Sequence, residues 1–204
     1  MFQLTELQHD ALIELFNQGV GQAAAAMSQI VREEVTMSVP LITFQTRTEV
    51  AQALGGSQSR RICAVTQIYE GAFNTEAMLM FPEDKSLKIV QLMLGQTVTM
   101  EELSDMEQEA MSEIGNIILN SCMSTLANIS KKELHGSLPV YRIGTSDQIL
   151  GSVGTQWDGL VLTLKIDFNI EKHEIDGYVA FLLDMNALHD LQAYLEQYLS
   201  GIVS

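Results

Sequence analysis

Four residues in this chain are spaced so that they could handle a phosphoryl group. Glu14 and Asn17 stand three apart, as do Glu113 and Asn116, and each pair has a further acid four residues before its Glu: Asp10 and Glu109. Steps of three and four bring side chains one above another on a helix, so each trio would form a ridge. A carboxamide both accepts and donates, so one atom can hold a water while the other meets developing charge. Phosphoryl transfer asks little more of a protein when the substrate carries its own metal, because positioning the attacking water is what remains. Glu14 or Glu113 would dock a cation on the partner. A solvated polar face is the usual fate of a helical Glu. Asn, however, is a poor mid-helix residue whose side chain competes for backbone hydrogen bonds, and here it is placed there twice.

The recurrence extends well beyond the four. Segment 10–40, DALIELFNQGVGQAAAAMSQIVREEVTMSVP, returns at 109–139 as EAMSEIGNIILNSCMSTLANISKKELHGSLP. Without a gap, Ala11, Glu14, Asn17, Ile30, Glu34, Ser38 and Pro40 each meet the same residue 99 positions on. Chance identity at residue frequencies of roughly one in twenty would give about two such matches. Arg32 over Lys131, Met27 over Leu126 and Val39 over Leu138 are conservative pairs. An internal duplication is therefore expected, with one domain over 1–204 made of two repeats, about 5–95 and 104–204.

The pattern Asp/Ser-x3-Glu-x2-Asn-x22-Pro, present twice and ending at Pro40 and Pro139, resembles the CheC family of chemotaxis phosphatases, with its CheC, CheX and FliY types. The resemblance covers nearly the whole chain in length and repeat order. It implies hydrolysis of the aspartyl phosphate on a CheY-type response regulator. Residue by residue, it implies that Glu14 and Glu113 pair with a lysine of that regulator and that Asn17 and Asn116 orient the water. Asp10 and Glu109 would support the same helix faces. It further implies no cofactor held by this chain, Mg²⁺ sitting on the regulator, and the receptor deamidase CheD as a second partner. Two positions depart from the family pattern. Glu109 stands where Asp or Ser is preferred, and Phe16 replaces the glycine that often precedes the Asn, which Gly115 keeps in the second copy. An aromatic at helical spacing such as Phe16 reads as core. Gly19 and Gly21 follow Asn17 as a glycine pair does in the family's first repeat. Each costs about 1 kcal/mol against Ala inside a helix, explained either by close packing against a neighbour or by room for the partner's backbone.

The elements that must position these residues are legible in outline. Thr5 with Gln8 makes a capping box for a first long helix, whose Leu12, Leu15, Phe16, Ala23, Met27 and Ile30 form an apolar stripe. Arg32 to Glu34 break it, and Pro40 leads into an extended segment, with a strand over 41–50 and a turn through Gly55 and Gly56. A hairpin follows over 60–82, joined near Glu70 and Gly71. Asp84 or Ser86 caps a short helix that Gly95 ends. After a polar connection over 96–105, the second copy repeats the plan. It has a helix to about Ser130, a strand near LPVYRIGT, a glycine-rich turn through Gly151 and Gly154, two strands over 158–184, and a last helix capped by Asn186 and ended by Gly201. Six strands and four main helices give an α+β, CheC-like fold: a continuous, largely antiparallel sheet covered by helices, with approximate twofold symmetry.

Composition narrows the function classes. At 204 residues and 47% apolar, the chain can bury one sizeable core. A formal charge of −15 argues against nucleic acid, whose phosphates need clustered Lys and Arg. No apolar run reaches the 18 or so residues of a membrane helix, and Thr5, Glu6, Gln8, His9 and Asp10 interrupt any signal segment at the start. Cys63 and Cys122 lie far apart with no partner motif, which fits a reducing cytoplasm better than a disulfide framework. His9, His135, His173 and His189 are scattered, with no HExxH, so no metal site is expected. Nor is there a GxSxG elbow or a phosphate-binding GxxxxGK[ST] loop. Cys122, at helical spacing among Leu119, Met123 and Leu126, reads as a buried residue rather than a nucleophile, and most of the eleven Met read as core.

Two alternatives to a phosphatase stand beside it. The same helices could form a module that binds a receiver domain or CheD without catalysis. The chain could also be a flagellar switch component, which would need a rotor-binding segment beyond these repeats. Since two repeats in one chain can supply the symmetry of a dimer, a monomer is expected.

Overall fold

The computed structural model describes residues 2–55, 61–72, 74–94, 100–151, 159–170 and 173–202. The order is α1 (Glu6–Val31), β1 (Val35–Gln45), α2 (Arg47–Gly55), β2 (Arg61–Gly71), β3 (Thr75–Pro82) and α3 (Glu83–Leu94). There follow α4 (Met100–Ser130), β4 (Leu134–Gly136), β5 (Val140–Thr145), α5 (Ser146–Gly151), β6 (Leu160–Ile170), β7 (His173–Leu183) and α6 (Met185–Ile202). All strand pairs are antiparallel and join in one seven-stranded sheet ordered β1-β6-β7-β3-β2-β4, with β5 also on β2. The fold is thus α+β on a continuous antiparallel sheet, as expected.

Alternation along the strands decides which layer each residue joins. From β2, Cys63, Val65 and Tyr69 enter the larger core beneath α1, α3, α4 and α6, while Ile62 and Ala64 enter a smaller one beneath α2 and α5. The larger core holds Phe16, Phe81, Phe168 and Phe181; Val50, Ala51, Ile149 and Leu150 of α2 and α5 seal the smaller. Among the described residues, no helix is long and apolar enough to cross a membrane.

The two halves repeat both element order and register. Ile62 pairs with Gly144, and their 99-residue counterparts, Val161 and Gln45, pair with each other. The halves exchange their first strands, β1 pairing with β6 and β4 and β5 with β2, and also join through β3 and β7, where Leu79 lies opposite Val179. Helices α1 and α4 end on left-handed residues at matching positions, Arg32 at φ 59° and Lys131 at φ 54°.

Several expected boundaries move, each for a local reason. Strand β1 begins at Val35, not after Pro40, and Pro40 sits within it where the register slips between Ser38 and Leu41. A bulge on a strand with one neighbour tolerates a residue lacking an N–H. Among the described residues there are seven strands, because the strand expected near 138–145 is β5 and a short additional strand, β4, precedes it. Among the described residues there are six helices, where four main ones were expected. The region read as strand and turn after Thr46 is helix α2, and α5 occupies its counterpart. Both open on capping boxes. Thr46 N–H donates to Glu49 Oε2 at 2.7 Å and Glu49 N–H to Thr46 Oγ1 at 3.3 Å; Thr145 N–H donates to Gln148 Oε1 at 3.0 Å and Gln148 N–H to Thr145 Oγ1 at 3.3 Å. The backbone and hydroxyl bonds from Thr46 hold the Glu49 carboxyl below its ordinary range.

Helix α4 starts at Met100, inside the stretch expected to be a connection. The cap of α6 is Asp184, whose Oδ1 accepts from Ala187 N–H at 2.8 Å, rather than Asn186. Gly201 lies inside that helix rather than ending it. The Thr5 and Gln8 box on α1 is formed as read. Gly56, Gly95 and Gly154 lie outside the described residues.

Candidate active site on two helix ridges

The ridges form where the spacing places them. Asp10, Glu14 and Asn17 lie on α1, and Glu109, Glu113 and Asn116 on α4. The four acids are exposed and the two asparagines are half-buried. Asp10 Oδ1 lies 4.0 Å from His9 Nδ1, and Glu14 Oε1 accepts from Gln18 Nε2 at 3.3 Å. Glu109 and Glu113 line an open depression with Gln108, Ser112 and Pro139, so the second copy's acids and its proline come together at one rim.

The two amides behave differently. Asn17 is engaged by the bulge in β1: its Oδ1 accepts from Val39 N–H at 2.9 Å, and its Nδ2 donates to Val39 O at 3.3 Å and to Ile13 O at 3.0 Å. The slip in register leaves Val39 without a place in the ladder to β6, and the carboxamide supplies what the ladder does not. Both amide protons are thereby used.

Asn116 meets no such strand. The matching stretch 137–139 is open, and Leu138, the counterpart of Val39, is 86% exposed. Gln67 of β2 serves the backbone there instead, donating from Nε2 to Ser137 O at 2.9 Å. The same Nε2 donates to Asn116 Oδ1 at 3.2 Å, and Asn120 Nδ2 donates to that oxygen at 2.7 Å. Tyr69 hydroxyl lies 2.9 Å from Asn120 Oδ1 and 3.1 Å from Gln67 Oε1, closing the network. Burial pushes the Tyr69 phenol up, so it stays a donor. A backbone carbonyl can only accept, so Ser137 O makes Gln67 Nε2 a donor; that donor requires an acceptor from Asn116, which sets Oδ1 inward. Asn116 Nδ2 then has no acceptor among the described residues.

Glycine placement explains the contrast. A Cβ on Gly115 would fall on the Val65 side chain, so only glycine lets α4 come this close to β2. At the matching position, Phe16 fills the gap beneath α1 and stacks on Phe181 with ring centroids 5.4 Å apart, the core role read for it. For Gly19, close packing is the explanation: a Cβ there would meet Thr125 Oγ1 at 2.8 Å and Ser121 O at 3.1 Å on α4, whereas Gly21 faces open space. Cys122 is buried as read, and burial pushes its thiol and that of Cys63 up to about 12. Among the described residues, no three His, Cys, Asp or Glu gather to hold a metal.

No family model matches the chain. It is 27% identical over 139 residues to the CheY-P phosphatase CheC of Bacillus subtilis (strain 168), covering 67% of this chain and 66% of that protein. It is 22% identical over 191 residues to the flagellar motor switch phosphatase FliY of the same organism, covering 92% of this chain and 49% of the relative. The crystal structure of Thermotoga maritima FliY superposes with a TM-score of 0.77 at 20% identity, covering 95% of this chain and 98% of that one.

The chain is similar in sequence to proteins named CheC and FliY, and in fold to FliY.

It spans about two thirds of one of these two curated relatives and about half of the other. The spacing Glu-x2-Asn located both ridges but missed Gln67, Tyr69 and Asn120. Comparison at 99 residues would have found them, since their counterparts are Ile166, Phe168 and Gly21: one copy is polar where the other is apolar or bare.

Proposed function

We propose that this chain hydrolyses the aspartyl phosphate of a CheY-type response regulator, with α4 carrying the working site. The observation that supports it is the Asn116 amide, held through Oδ1 by Gln67 and Asn120 with its Nδ2 left for a ligand, one helical turn from exposed Glu113. Glu113 docks a cationic side chain of the regulator, such as a lysine, and sets its distance from α4. Asn116 Nδ2 then donates to the attacking water, or to a phosphoryl oxygen as charge grows there. Fixed donors aimed at developing charge need no reorganisation during reaction. The Mg²⁺ that neutralises the phosphoryl group arrives with the substrate, and the compartment is the cytoplasm, where the regulator resides. The name of one curated relative, a CheY-P phosphatase, supports the same activity and partner, and that of the other, a flagellar motor switch phosphatase, supports the activity.

A binding role without hydrolysis fits the first copy better. Asn17 would have to release Val39 before its amide could act on a substrate, while Glu14 is exposed and can dock a cation.

The test is the lifetime of the regulator's phosphate with and without this chain. The parent should shorten it, and Asn116→Ala should lose about 10²-fold of that acceleration, the scale for removing one transition-state donor, while still binding the regulator. An unchanged lifetime alongside measurable binding would replace the enzyme with a binding module.

A further inference from the structure

Resting on that reading, we infer that Gln67 is a positioning residue for the reaction: it fixes which end of the Asn116 carboxamide faces the substrate. Gln67 lies 49 residues before Asn116, on the strand beneath α4, and touches neither ridge acid in any hydrogen bond among the described residues. Its own orientation is set first, because Ser137 O accepts from Nε2 at 2.9 Å. The second proton of that nitrogen is then aimed at Asn116 at 3.2 Å, a donor that only an amide oxygen can meet. Asn120 Nδ2, at 2.7 Å, repeats the demand from the helix itself. With both lone pairs of Oδ1 occupied, the amide cannot turn over without setting its N–H groups against two donors. A substrate approaching α4 therefore meets a donor from Asn116. In the first copy, Ile166 stands where Gln67 would be and is buried in the core, so that half has no equivalent device.

The strongest test reverses the demand. In Gln67→Glu, the side chain keeps its shape and its acceptor for the Tyr69 hydroxyl, but the new carboxylate offers Asn116 an acceptor. A charge-assisted bond to that carboxylate outweighs the remaining demand from Asn120 Nδ2, so the amide should turn over and present Oδ1 to the substrate. With phosphorylated regulator and the full chain at neutral pH, kcat should fall about 10²-fold, as for loss of one donor, and KM should stay near the parent's because Glu113 is untouched. Lowering the pH protonates the new carboxyl and restores a donor, so the deficit should shrink in acid, a profile that a merely structural role does not produce. Gln67→Met serves if the charged variant fails to fold. It removes both donors at equal length and should lower kcat with KM little changed.

If Asn116→Ala abolishes the acceleration while Gln67→Glu and Gln67→Met hydrolyse at the parental kcat, the inference is overturned and the phosphatase reading stands. If Asn116→Ala is as active as the parent, the reading falls and takes the inference with it.

Discussion

The Asn17 carboxamide closes on both main-chain polar groups of Val39, accepting from its N–H at 2.9 Å and donating to its carbonyl at 3.3 Å. These are the groups that the bulge in β1 removes from the ladder with β6. Asn17→Ala would leave them unpaired in a half-buried setting, which costs about 1–3 kcal/mol. Asn17→Asp should be no better, since it keeps the acceptor but sets a charge against the carbonyls of Ile13 and Val39. Urea unfolding of both variants measures this, and midpoints equal to the parent's would show that the contact contributes nothing.

The two glycines that follow Asn17 should respond in opposite directions. A Cβ on Gly19 lands on Thr125 and Ser121 of α4, so Gly19→Ala should lose about 1–3 kcal/mol through overpacking. Gly21 has nothing within 4 Å, so Gly21→Ala should gain about 1 kcal/mol from helix propensity. Thermal unfolding of the pair checks the sign, and a shift in the same direction for both would contradict the packing described.

Gly115 links stability to chemistry. A methyl group there meets Val65, so Gly115→Ala should push α4 off β2 and lengthen the 3.2 Å contact between Gln67 and Asn116. Both the unfolding midpoint and kcat for regulator dephosphorylation should fall. Adding Val65→Ala makes room for the methyl group and should recover part of each, a coupling that a double-mutant cycle reads directly. Losses that merely add would place the helix under some other control.

The cysteines should be silent in the native protein. Burial pushes both thiols up to about 12, so neither forms thiolate at neutral pH. A thiol reagent should modify Cys63 and Cys122 only on unfolding. The sign of the linked stability follows: unfolding frees each thiol to ionise near its ordinary value, so stability should fall as pH rises from that value toward about 12. Rapid native labelling would restore a nucleophilic role to consideration.

Much of the fold was legible because its signals are local. The capping box at Thr5, the apolar stripe through Leu12 and Met27, and the steps from Asp10 to Glu14 to Asn17 depend only on helical geometry, which neighbours do not alter. Helices α2 and α5 were equally readable, from Thr46-x-x-Glu49 and Thr145-x-x-Gln148, but their few apolar residues gave no stripe to draw attention to them. Their apolar faces, Val50 with Ala51 and Ile149 with Leu150, are short because each covers only a small patch of sheet.

The sequence by itself determined that two acid and amide ridges exist, that they sit on long helices, and that one antiparallel sheet lies beneath them. It could not decide that the two amides differ, since Asn17 and Asn116 have the same spacing and the same helical setting. That difference was decided in three dimensions, by which strand passes under each helix and how near it comes. Phe16 fills the space beneath α1 and leaves Asn17 to the β1 bulge, while Gly115 lets α4 settle onto β2, where Gln67 takes hold of Asn116. Hydrogen bonds act over about 3 Å, so a shift of one side chain's thickness is enough to change an amide's partners.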